Sequence, residues 1–243
     1  MRLDDKTALV TGGATGIGQA IAAALAEAGC RVAIAGRRED KLREAAAARQ
    51  GEPTILTHPV DVADRASVAE LFAWANQQLG KIDILVNSAG VNTPKRSMAD
   101  MPAEQWDMVM QVNATGAYNC IHAVLPQMRA RQDGLIININ SISGHRASLL
   151  GGVAYSASKF ALSALSTAVA LEEGKHGIRV TSICPGEVDT PLLRRRPVPV
   201  SPENLAKILQ PADVAAAVLM VCGLPPRAHV HEMIIKPTFQ DFA

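Results

Sequence analysis

Short apolar segments alternate along the chain with longer segments whose apolar residues recur every three or four positions. The short segments cover residues 7–10, 31–35 and 54–60, and each precedes a longer one, at 17–28, 40–49 and 68–79. A compact apolar run is typical of a β-strand, and the longer period is typical of an amphipathic helix. The first third of the chain is therefore predicted to be a βαβαβα unit.

The same alternation continues to the end of the chain. Strands are predicted at 82–86, 135–139, 179–184 and 233–235, and helices from about residue 103, at 155–173 and at 212–221. Several strands are mostly apolar, as expected when helices cover both faces of a parallel sheet. We predict one α/β domain over residues 1–243, with a doubly wound, mostly parallel sheet of about seven strands and a surface loop at about 190–211.

Composition and charge argue against several classes of protein. Hydrophobic residues make up 48% of the chain and the formal net charge is +1, so we expect a packed core and no nucleic acid partner. The longest apolar run is too short to cross a bilayer, so no membrane association is expected. The four cysteines are scattered without a C-x-x-C pair, which favours reduced thiols in the cytoplasm over disulfides or a zinc site.

A glycine-rich turn, Thr11-Gly12-Gly13-Ala14-Thr15-Gly16-Ile17-Gly18, follows the first predicted strand. Its glycines would let the backbone approach a pyrophosphate, and the helix start offers unpaired N–H groups and a positive dipole. The spacing T-G-x-x-x-G-I-G resembles that of the short-chain dehydrogenase/reductase family, which implies a Rossmann-type fold. An ordinary strand-to-helix turn is the alternative for this segment alone. The predicted cofactor contacts are Gly12, Thr15, Gly16, Ile17 and Gly18.

The end of the second strand predicts which nucleotide is bound. Ala35-Gly36-Arg37-Arg38 lacks the Asp or Glu that usually holds the ribose 2′-hydroxyl of NAD(H). Arg37 or Arg38 could instead bind a 2′-phosphate through charge-assisted hydrogen bonds, and Arg37 is the better candidate. NADP(H) is therefore the preferred cofactor. NAD(H) stays open, because both arginines could be solvated and Glu39 could serve the ribose.

Two further segments resemble cofactor-binding elements of the same family. Asp61 and Val62, after the third strand, match its adenine-contacting pair. Residues 87–90 match its N-N-A-G element, with Ser88 as the one departure. A turn residue at 61 and a loop held by Asx hydrogen bonds at 87–90 are the alternatives. The resemblance adds these cofactor contacts: Asp61, Val62, Asn87, Ala89 and Gly90.

Tyr155 and Lys159 lie four residues apart near the start of a predicted helix, so their side chains project from one face. An ammonium beside a phenol favours the phenolate, and we predict that Lys159 and a bound nicotinamide lower the pKa of Tyr155. Such a tyrosine could give a proton to a carbonyl oxygen as hydride arrives, and take it back in reverse. The pair predicts an oxidoreductase acting on a carbonyl or alcohol carbon of a small molecule.

The resemblance implies roles for further residues. The family's S-x-x-G serine, which binds the substrate oxygen, corresponds to Ser141, with Ser143 as the alternative. Its helix asparagine, which supports a proton-relay water, corresponds to Asn113, a residue that could otherwise be polar packing. Lys159 is expected to bind the nicotinamide ribose. It is also expected to act with Tyr155 as a catalytic residue. The P-G-x-V-x-T segment, expected to contact the nicotinamide amide, supplies Pro185, Gly186, Val188 and Thr190.

The loop at about 190–211 corresponds to the mobile substrate lid of the family. Its Arg194-Arg195-Arg196 run, with His145, Arg146 and Asn92 as nearby candidates, favours an anionic hydroxy or keto acid as substrate. A solvated charge run is the alternative interpretation of the three arginines.

The remaining expectations concern metal and assembly. His229 and His231 alternate along the last predicted strand, where packing is a simpler role than metal binding, so no metal is assigned. By resemblance we expect a homotetramer formed through the helices that carry Asn113 and Tyr155.

Two other functions are weighed against a dehydrogenase. In the enoyl reductase branch that this chain would have to resemble, more than three residues separate the tyrosine from the lysine. Only three separate them here, which disfavours an enoyl reductase. A catalytically silent NADP(H)-binding regulator would keep the glycine turn and lose the proton chemistry. The presence of Asn113, Ser141, Tyr155 and Lys159 together disfavours the silent regulator.

Overall fold

The computed structural model describes residues 2–241. Its seven strands form one sheet of order β3-β2-β1-β4-β5-β6-β7, and every neighbouring pair is parallel. The strands are β1 (Thr7–Thr11), β2 (Arg31–Gly36), β3 (Leu56–Pro59), β4 (Ile84–Asn87), β5 (Gly134–Ile139), β6 (Ile178–Pro185) and β7 (Glu232–Ile235). The prediction of a parallel, seven-stranded, doubly wound sheet is confirmed.

Helices cover both faces of this sheet. They are α1 (Gly16–Glu27), α2 (Glu39–Ala48), α3 (Arg65–Leu79), α4 (Ala103–Met110), α5 (Gly116–Arg131), α6 (Val153–Glu173), α7 (Pro202–Leu205) and α8 (Pro211–Cys222). Successive strand residues point to opposite faces, so Leu9 packs in the core beneath α3, α5 and α6, whereas Val10 packs in the core beneath α1 and α8. This two-sided burial explains why the strands are apolar at nearly every position.

The order of the strands determines where a ligand can bind. The chain moves outward from β1 through β2 to β3, then returns to place β4 on the other side of β1. The loops after β1 and β4 therefore diverge at the carboxyl edge of the sheet and leave a crevice, the usual ligand position in open α/β sheets.

The structure differs from the sequence prediction in three places. The helix beginning at Ala103 contains a π-helical turn, Gln111–Thr115, between α4 and α5. The loop at 190–211 is not fully irregular, because it contains a helical turn at Leu193–Arg195 and the short α7. His229 and His231 precede β7 rather than lying in it, and His229 Nε2 contacts the carbonyl oxygen of Val180 at 2.8 Å.

The expectations about membrane spans and about the cysteines can be compared with the described residues. Within residues 2–241, no helix has the length and apolar character needed to cross a membrane. The four cysteines are free thiols.

Candidate active site

The turn after β1 requires residues without a Cβ. Gly12 has a φ of +67°, and a Cβ there would lie 2.7 Å from the backbone nitrogen of Ala89. A Cβ on Gly18 would overlap the carbonyl oxygen of Gly12. Glycine at these two positions therefore allows the β1 turn, the end of β4 and the first turn of α1 to pack together.

The start of α1 is suited to an anion. Its N-cap residue, Thr15, makes no side-chain capping hydrogen bond to the helix, and the fully described first turn contains no acidic residue. The first N–H groups of a helix have no partner within the helix, and the helix dipole is positive at this end. These features fit a phosphate group at the mouth of the turn.

The two arginines after β2 are exposed beside this turn. The carboxylate of Glu39 binds Nη1 of Arg43 one turn along α2, at 3.2 Å. Among residues 2–241, no carboxylate oxygen lies within 4.0 Å of the Arg37 or Arg38 guanidinium. Both side chains therefore offer positive charge without a carboxylate partner at the carboxyl end of β2.

Asp61 and Val62 line the same side of the crevice, but in different ways. Oδ1 of Asp61 accepts a hydrogen bond from the backbone nitrogen of Ala63 at 3.0 Å, which fixes the turn after β3. Val62 is buried, and Gly116 packs so closely against it that a Cβ on the glycine would lie 2.6 Å from Val62 Cγ2. This contact anchors the π-helical turn to the β3 loop.

The segment after β4 lies beside the turn after β1, and its three predicted cofactor residues differ in their placement. Ala89 and Gly90 line the crevice. Asn87 does not: its buried side chain points into the sheet and donates from Nδ2 to Oδ1 of Asn138 at 2.9 Å. Asn87 is the last residue of β4, and its side chain faces the neighbouring strand β5.

These elements enclose one large cleft of about 660 Å³. A volume of this order is typical of a cofactor site. The predicted cofactor residues that line the large cleft are Gly12, Thr15, Gly16, Ile17, Gly18, Arg37, Arg38, Asp61, Val62, Ala89, Gly90, Tyr155, Lys159 and Thr190.

Tyr155 and Lys159 lie in the first two turns of α6, at one end of the large cleft. The Lys159 ammonium is 5.6 Å from the centre of the Tyr155 ring. Its Nζ donates to the carbonyl oxygen of Ile139, the last residue of β5, at 2.9 Å. Lys159 is only 4% exposed, so this hydrogen bond fixes a buried ammonium at the carboxyl edge of the sheet.

Burial changes the proton affinities of both groups. It lowers the pKa of Lys159 to about 8, because the ammonium loses hydration. It raises the pKa of Tyr155, and hydrogen bonding with Ser141 and the charges of Arg96 and Arg196 offset only part of that effect. Desolvation of the phenolate thus outweighs the surrounding positive charges of the protein, and a lowering of the tyrosine pKa by Lys159 together with a bound nicotinamide stays a prediction.

Ser141 is held by a turn directly after β5. It is the N-cap of the helical turn Ile142–Gly144, and its Oγ accepts a hydrogen bond from the backbone nitrogen of Ser143 at 3.1 Å. Both serines are 8% exposed and line the same small pocket, so Ser143 stays an alternative. Ser141 lowers the pKa of Tyr155 and so offsets part of the effect of burial, which favours Ser141 as the partner of the phenol.

Asn113 occupies the centre of the π-helical turn. Its Oδ1 accepts from the backbone nitrogen of Val91 at 2.8 Å, and its Nδ2 donates to the carbonyl oxygen of Val91 at 3.0 Å. Nδ2 also donates to Oγ of Ser158 at 3.0 Å, and Ser158 in turn donates to the carbonyl oxygen of Tyr155. Asn113 thus ties the loop after β4 to the first turn of α6, and π-helical turns recur at functional sites.

A small pocket of about 160 Å³ adjoins the large cleft. Tyr155 lines both spaces, and Thr190 is also shared. The residues predicted to contact the nicotinamide amide, Pro185, Gly186 and Val188, line the small pocket and not the large cleft. Ser141 and Asn92 line the small pocket as well.

The lid arginines are not gathered in the small pocket. Arg194 and Arg195 are exposed, and only Arg195 lines the large cleft. Arg196 does line the small pocket, but its Nη1 is paired with Glu187 at 3.1 Å. His145 and Arg146 line neither space, and His145 Nε2 is paired with Glu232 at 3.1 Å.

The sequence interpretation missed two charged residues of the small pocket, Glu187 and Arg96, and Arg96 is the one without a carboxylate partner among the described residues. It lies in the loop between β4 and α4 and is only 8% exposed. No local pattern marks it, because a single arginine in an irregular loop has no period and no motif spacing.

One group of side chains has metal-ligand chemistry. Among the described residues, His145, Cys184 and Glu232 could each offer a ligand atom within 4.8 Å of the others. His145 Nε2 already contacts Glu232 at 3.1 Å and Cys184 Sγ at 3.3 Å. The expectation that the protein needs no metal stays a prediction.

Comparison with known proteins gives matches over most of the chain. A family model described as short chain dehydrogenase matches residues 6–198. An uncharacterized oxidoreductase of Staphylococcus aureus is 37% identical over 235 residues, which cover 97% of this chain and 98% of that protein. One from Staphylococcus saprophyticus is 38% identical over 239 residues, which cover 98% and 99%.

Solved structures are similar over the same extent. A closed form of serine dehydrogenase complexed with NADP+ has a TM-score of 0.88 at 29% identity, and the match covers 98% of this chain and 97% of that one. An alcohol dehydrogenase from the archaeon Thermococcus sibiricus, complexed with 5-hydroxy-NADP, has a TM-score of 0.87 at 28% identity, with 97% and 98% covered.

Proposed function

The chain belongs to the short-chain dehydrogenase family, and we propose that it transfers hydride between NADP(H) and a carbonyl or alcohol carbon of a small substrate. The observation that carries this proposal is the position of Tyr155, on the wall shared by the large cleft and the small pocket. A phenol at this position can reach a substrate in the small pocket while that substrate faces a cofactor in the large cleft.

Each catalytic side chain has a separate task in this proposal. The hydride would come from, or pass to, NADP(H) held in the large cleft. During reduction, the Tyr155 hydroxyl donates a proton to the carbonyl oxygen, and Ser141 holds that oxygen by a hydrogen bond. Lys159 supplies positive charge beside the phenol, and Asn113 positions the first turn of α6 through Ser158.

The raised pKa of Tyr155 fits the role of a proton donor. A phenol that stays protonated at neutral pH is ready to protonate a carbonyl oxygen as negative charge develops there. In the oxidation direction the same tyrosine must lose its proton first, so nearby positive charge matters most in that direction. Lys159 and the two pocket arginines provide this charge.

Preference for NADP(H) over NAD(H) rests on the exposed arginines after β2. Arg37 and Arg38 line the large cleft without a carboxylate partner among the described residues, while Glu39 is bound to Arg43. A 2′-phosphate would receive charge-assisted hydrogen bonds at this position. The NADP bound in the similar serine dehydrogenase and the 5-hydroxy-NADP bound in the similar alcohol dehydrogenase support the same preference.

A small hydroxy or keto acid is the proposed substrate class. The lid arginines do not support this class, because Arg194 is exposed and Arg196 is paired with Glu187. The limited volume of the small pocket supports a small substrate, and Arg96 supports a negative charge on it.

Assembly and location are proposed from exposed apolar side chains on α6 and from the cysteines. Phe160 and Leu171 on α6 are 44% and 80% exposed, which is consistent with α6 packing against another copy of the chain in a homotetramer. Four free cysteines are consistent with a reducing compartment such as the cytoplasm.

A cofactor-dependent absorbance screen tests the proposed function. The purified protein is mixed with NADPH or NADH and with keto acids, ketones, aldehydes and sugars, and we expect oxidation of NADPH in preference to NADH. Arg37→Ala should reduce that preference by about 10- to 100-fold, since a hydrogen bond to a charged group contributes about 1.5–3 kcal/mol. Arg227→Ala, an exposed arginine outside both spaces, is the matched control.

Two outcomes of the screen would overturn parts of the proposal. Tight binding of NADPH without turnover of any probe would favour a silent nucleotide-binding protein. A preference for NADH that Arg37→Ala leaves unchanged would remove the assignment of the 2′-phosphate to this arginine.

A further inference from the structure

Arg96 is a buried cation whose side-chain hydrogen bonds within residues 2–241 all go to backbone carbonyl groups. Its Nε donates to the carbonyl oxygen of Thr93 at 2.8 Å, and its Nη2 donates to that of Arg195 at 3.2 Å. Its Nη1 donates to the carbonyl oxygen of Leu150. The guanidinium therefore joins its own loop to the segment before α6 and to the lid, with a fixed orientation beside the small pocket.

The charge of Arg96 is not neutralised within the described part of the chain. No carboxylate oxygen of residues 2–241 lies within 4.0 Å of its guanidinium nitrogens. Glu187, the one acidic residue in the lining of the small pocket, is paired with Arg196 at 3.1 Å. Burial, and then the nearby charge of Arg196, lower the pKa of Arg96.

The guanidinium also carries hydrogen-bond donors that its bonds to the carbonyl groups do not use. Each terminal nitrogen carries two hydrogens and makes one hydrogen bond to a carbonyl oxygen, so one hydrogen on each stays available. Arginine presents such hydrogens in a planar arrangement that matches the two oxygens of a carboxylate. A buried cation usually has a counter-ion, and a ligand carboxylate would supply the one that this chain lacks.

We propose that Arg96 binds the carboxylate of the substrate in the small pocket, and that the enzyme therefore acts on small hydroxy and keto acids. This inference rests on the proposed function, because the same pocket places the reacting oxygen beside Tyr155 and Ser141. The carboxylate end of the substrate contacts Arg96, and the carbonyl end contacts the phenol. A neutral ketone of the same size would leave the guanidinium without its counter-ion.

Paired substrates separate this role from that of a structural clamp. The probes are acetoacetate with methyl acetoacetate, and succinic semialdehyde with butanal, each assayed with NADPH. The wild type should prefer the acid in each pair. Arg96→Met should lower kcat/KM for the acids about 10- to 100-fold more than for their neutral partners.

Two further variants control for folding and for general charge. Arg96→Lys keeps the positive charge but loses the three-way clamp, so it should retain part of the acid preference that Arg96→Met loses. Arg194→Met removes an exposed arginine that lines neither space, and it should behave as the wild type. Equal losses for acids and neutral partners in both Arg96 variants would overturn the proposal and leave Arg96 as a clamp.

A binding measurement tests the same proposal without turnover. Malonate is added to the wild type at saturating NADPH, so that the arginines of the large cleft are already occupied, and thermal unfolding is followed. We expect Tm to rise with malonate concentration in the wild type and in Arg194→Met, but not in Arg96→Met. No rise in the wild type would overturn the Arg96 assignment, whereas a rise without turnover of any probe would contradict only the proposed reaction.

Discussion

Burial of the charged Lys159 ammonium should lower the free energy of unfolding, and a single substitution can measure this cost. The ammonium is 4% exposed, and burial lowers its pKa from 10.5 to about 8. One pH unit corresponds to about 1.4 kcal/mol, so burying the charged form costs roughly 3 kcal/mol. The cost is present in full below about pH 8, where the lysine is protonated in both the folded and the unfolded states.

The sign of the pH dependence follows from the lowered pKa. Between about pH 8 and 10.5, the unfolded chain holds the lysine proton and the folded chain has released it, so the free energy of unfolding increases with pH. Lys159→Met removes this titration. The difference in unfolding free energy, wild type minus Lys159→Met, should therefore rise by about 2–3 kcal/mol between pH 7 and pH 10.

Urea unfolding of the cofactor-free proteins at several pH values measures this difference. Losing the hydrogen bond to Ile139 lowers the stability of Lys159→Met by an amount that does not depend on pH, so it cancels in the comparison. Protein concentration is kept constant because assembly would add its own stability. Lys175→Met, at an exposed position, is the control and should follow the wild type. Parallel curves for the wild type and Lys159→Met would refute the argument.

Three further outcomes are expected. Gly18→Ala should lower the free energy of unfolding, measured with urea, by about 1–3 kcal/mol, because the added Cβ would overlap the Gly12 carbonyl oxygen. The control is Gly174→Ala, whose Cβ meets no atom within 4 Å and should have little effect. Equal effects of the two substitutions would contradict this prediction. The kcat/KM for NADPH should decline above about pH 8 as Lys159 loses its proton, and a flat profile to pH 10 would count against a charged lysine in the site. Native mass spectrometry should show a tetramer that Leu171→Glu weakens, and a wild-type monomer would disprove the proposed assembly.

The sequence predicted the fold and the large cleft because their signals are local. Strand and helix periods follow directly from which faces are buried, and the glycine turn is specified by neighbouring positions such as Gly12 and Gly18 that exclude a Cβ. The same motifs placed Tyr155 and Lys159 correctly on one face of α6, at the edge of the cleft.

Tertiary packing explains what the sequence could not predict. Arg96 depends on carbonyl groups 54 and 99 residues away in the chain, so no local pattern could reveal its place in the small pocket. The direction of the Tyr155 pKa depends on how much water the fold removes from the phenol, which spacing to Lys159 cannot indicate. Asn87 matched a cofactor motif, yet its side chain bonds to Asn138 inside the sheet.

Proton donation by Tyr155 is the central claim, and Tyr155→Phe tests it most directly. The substitution removes only the hydroxyl group, and Tyr118→Phe, which changes the other tyrosine of the chain at a 43% exposed position, is the control. In single-turnover reactions with saturating NADPH and the best carbonyl probe, Tyr155→Phe should slow NADPH oxidation by about 10²- to 10⁴-fold while the Kd for NADPH stays within about threefold. Oxidation by Tyr155→Phe at the wild-type rate would contradict the account.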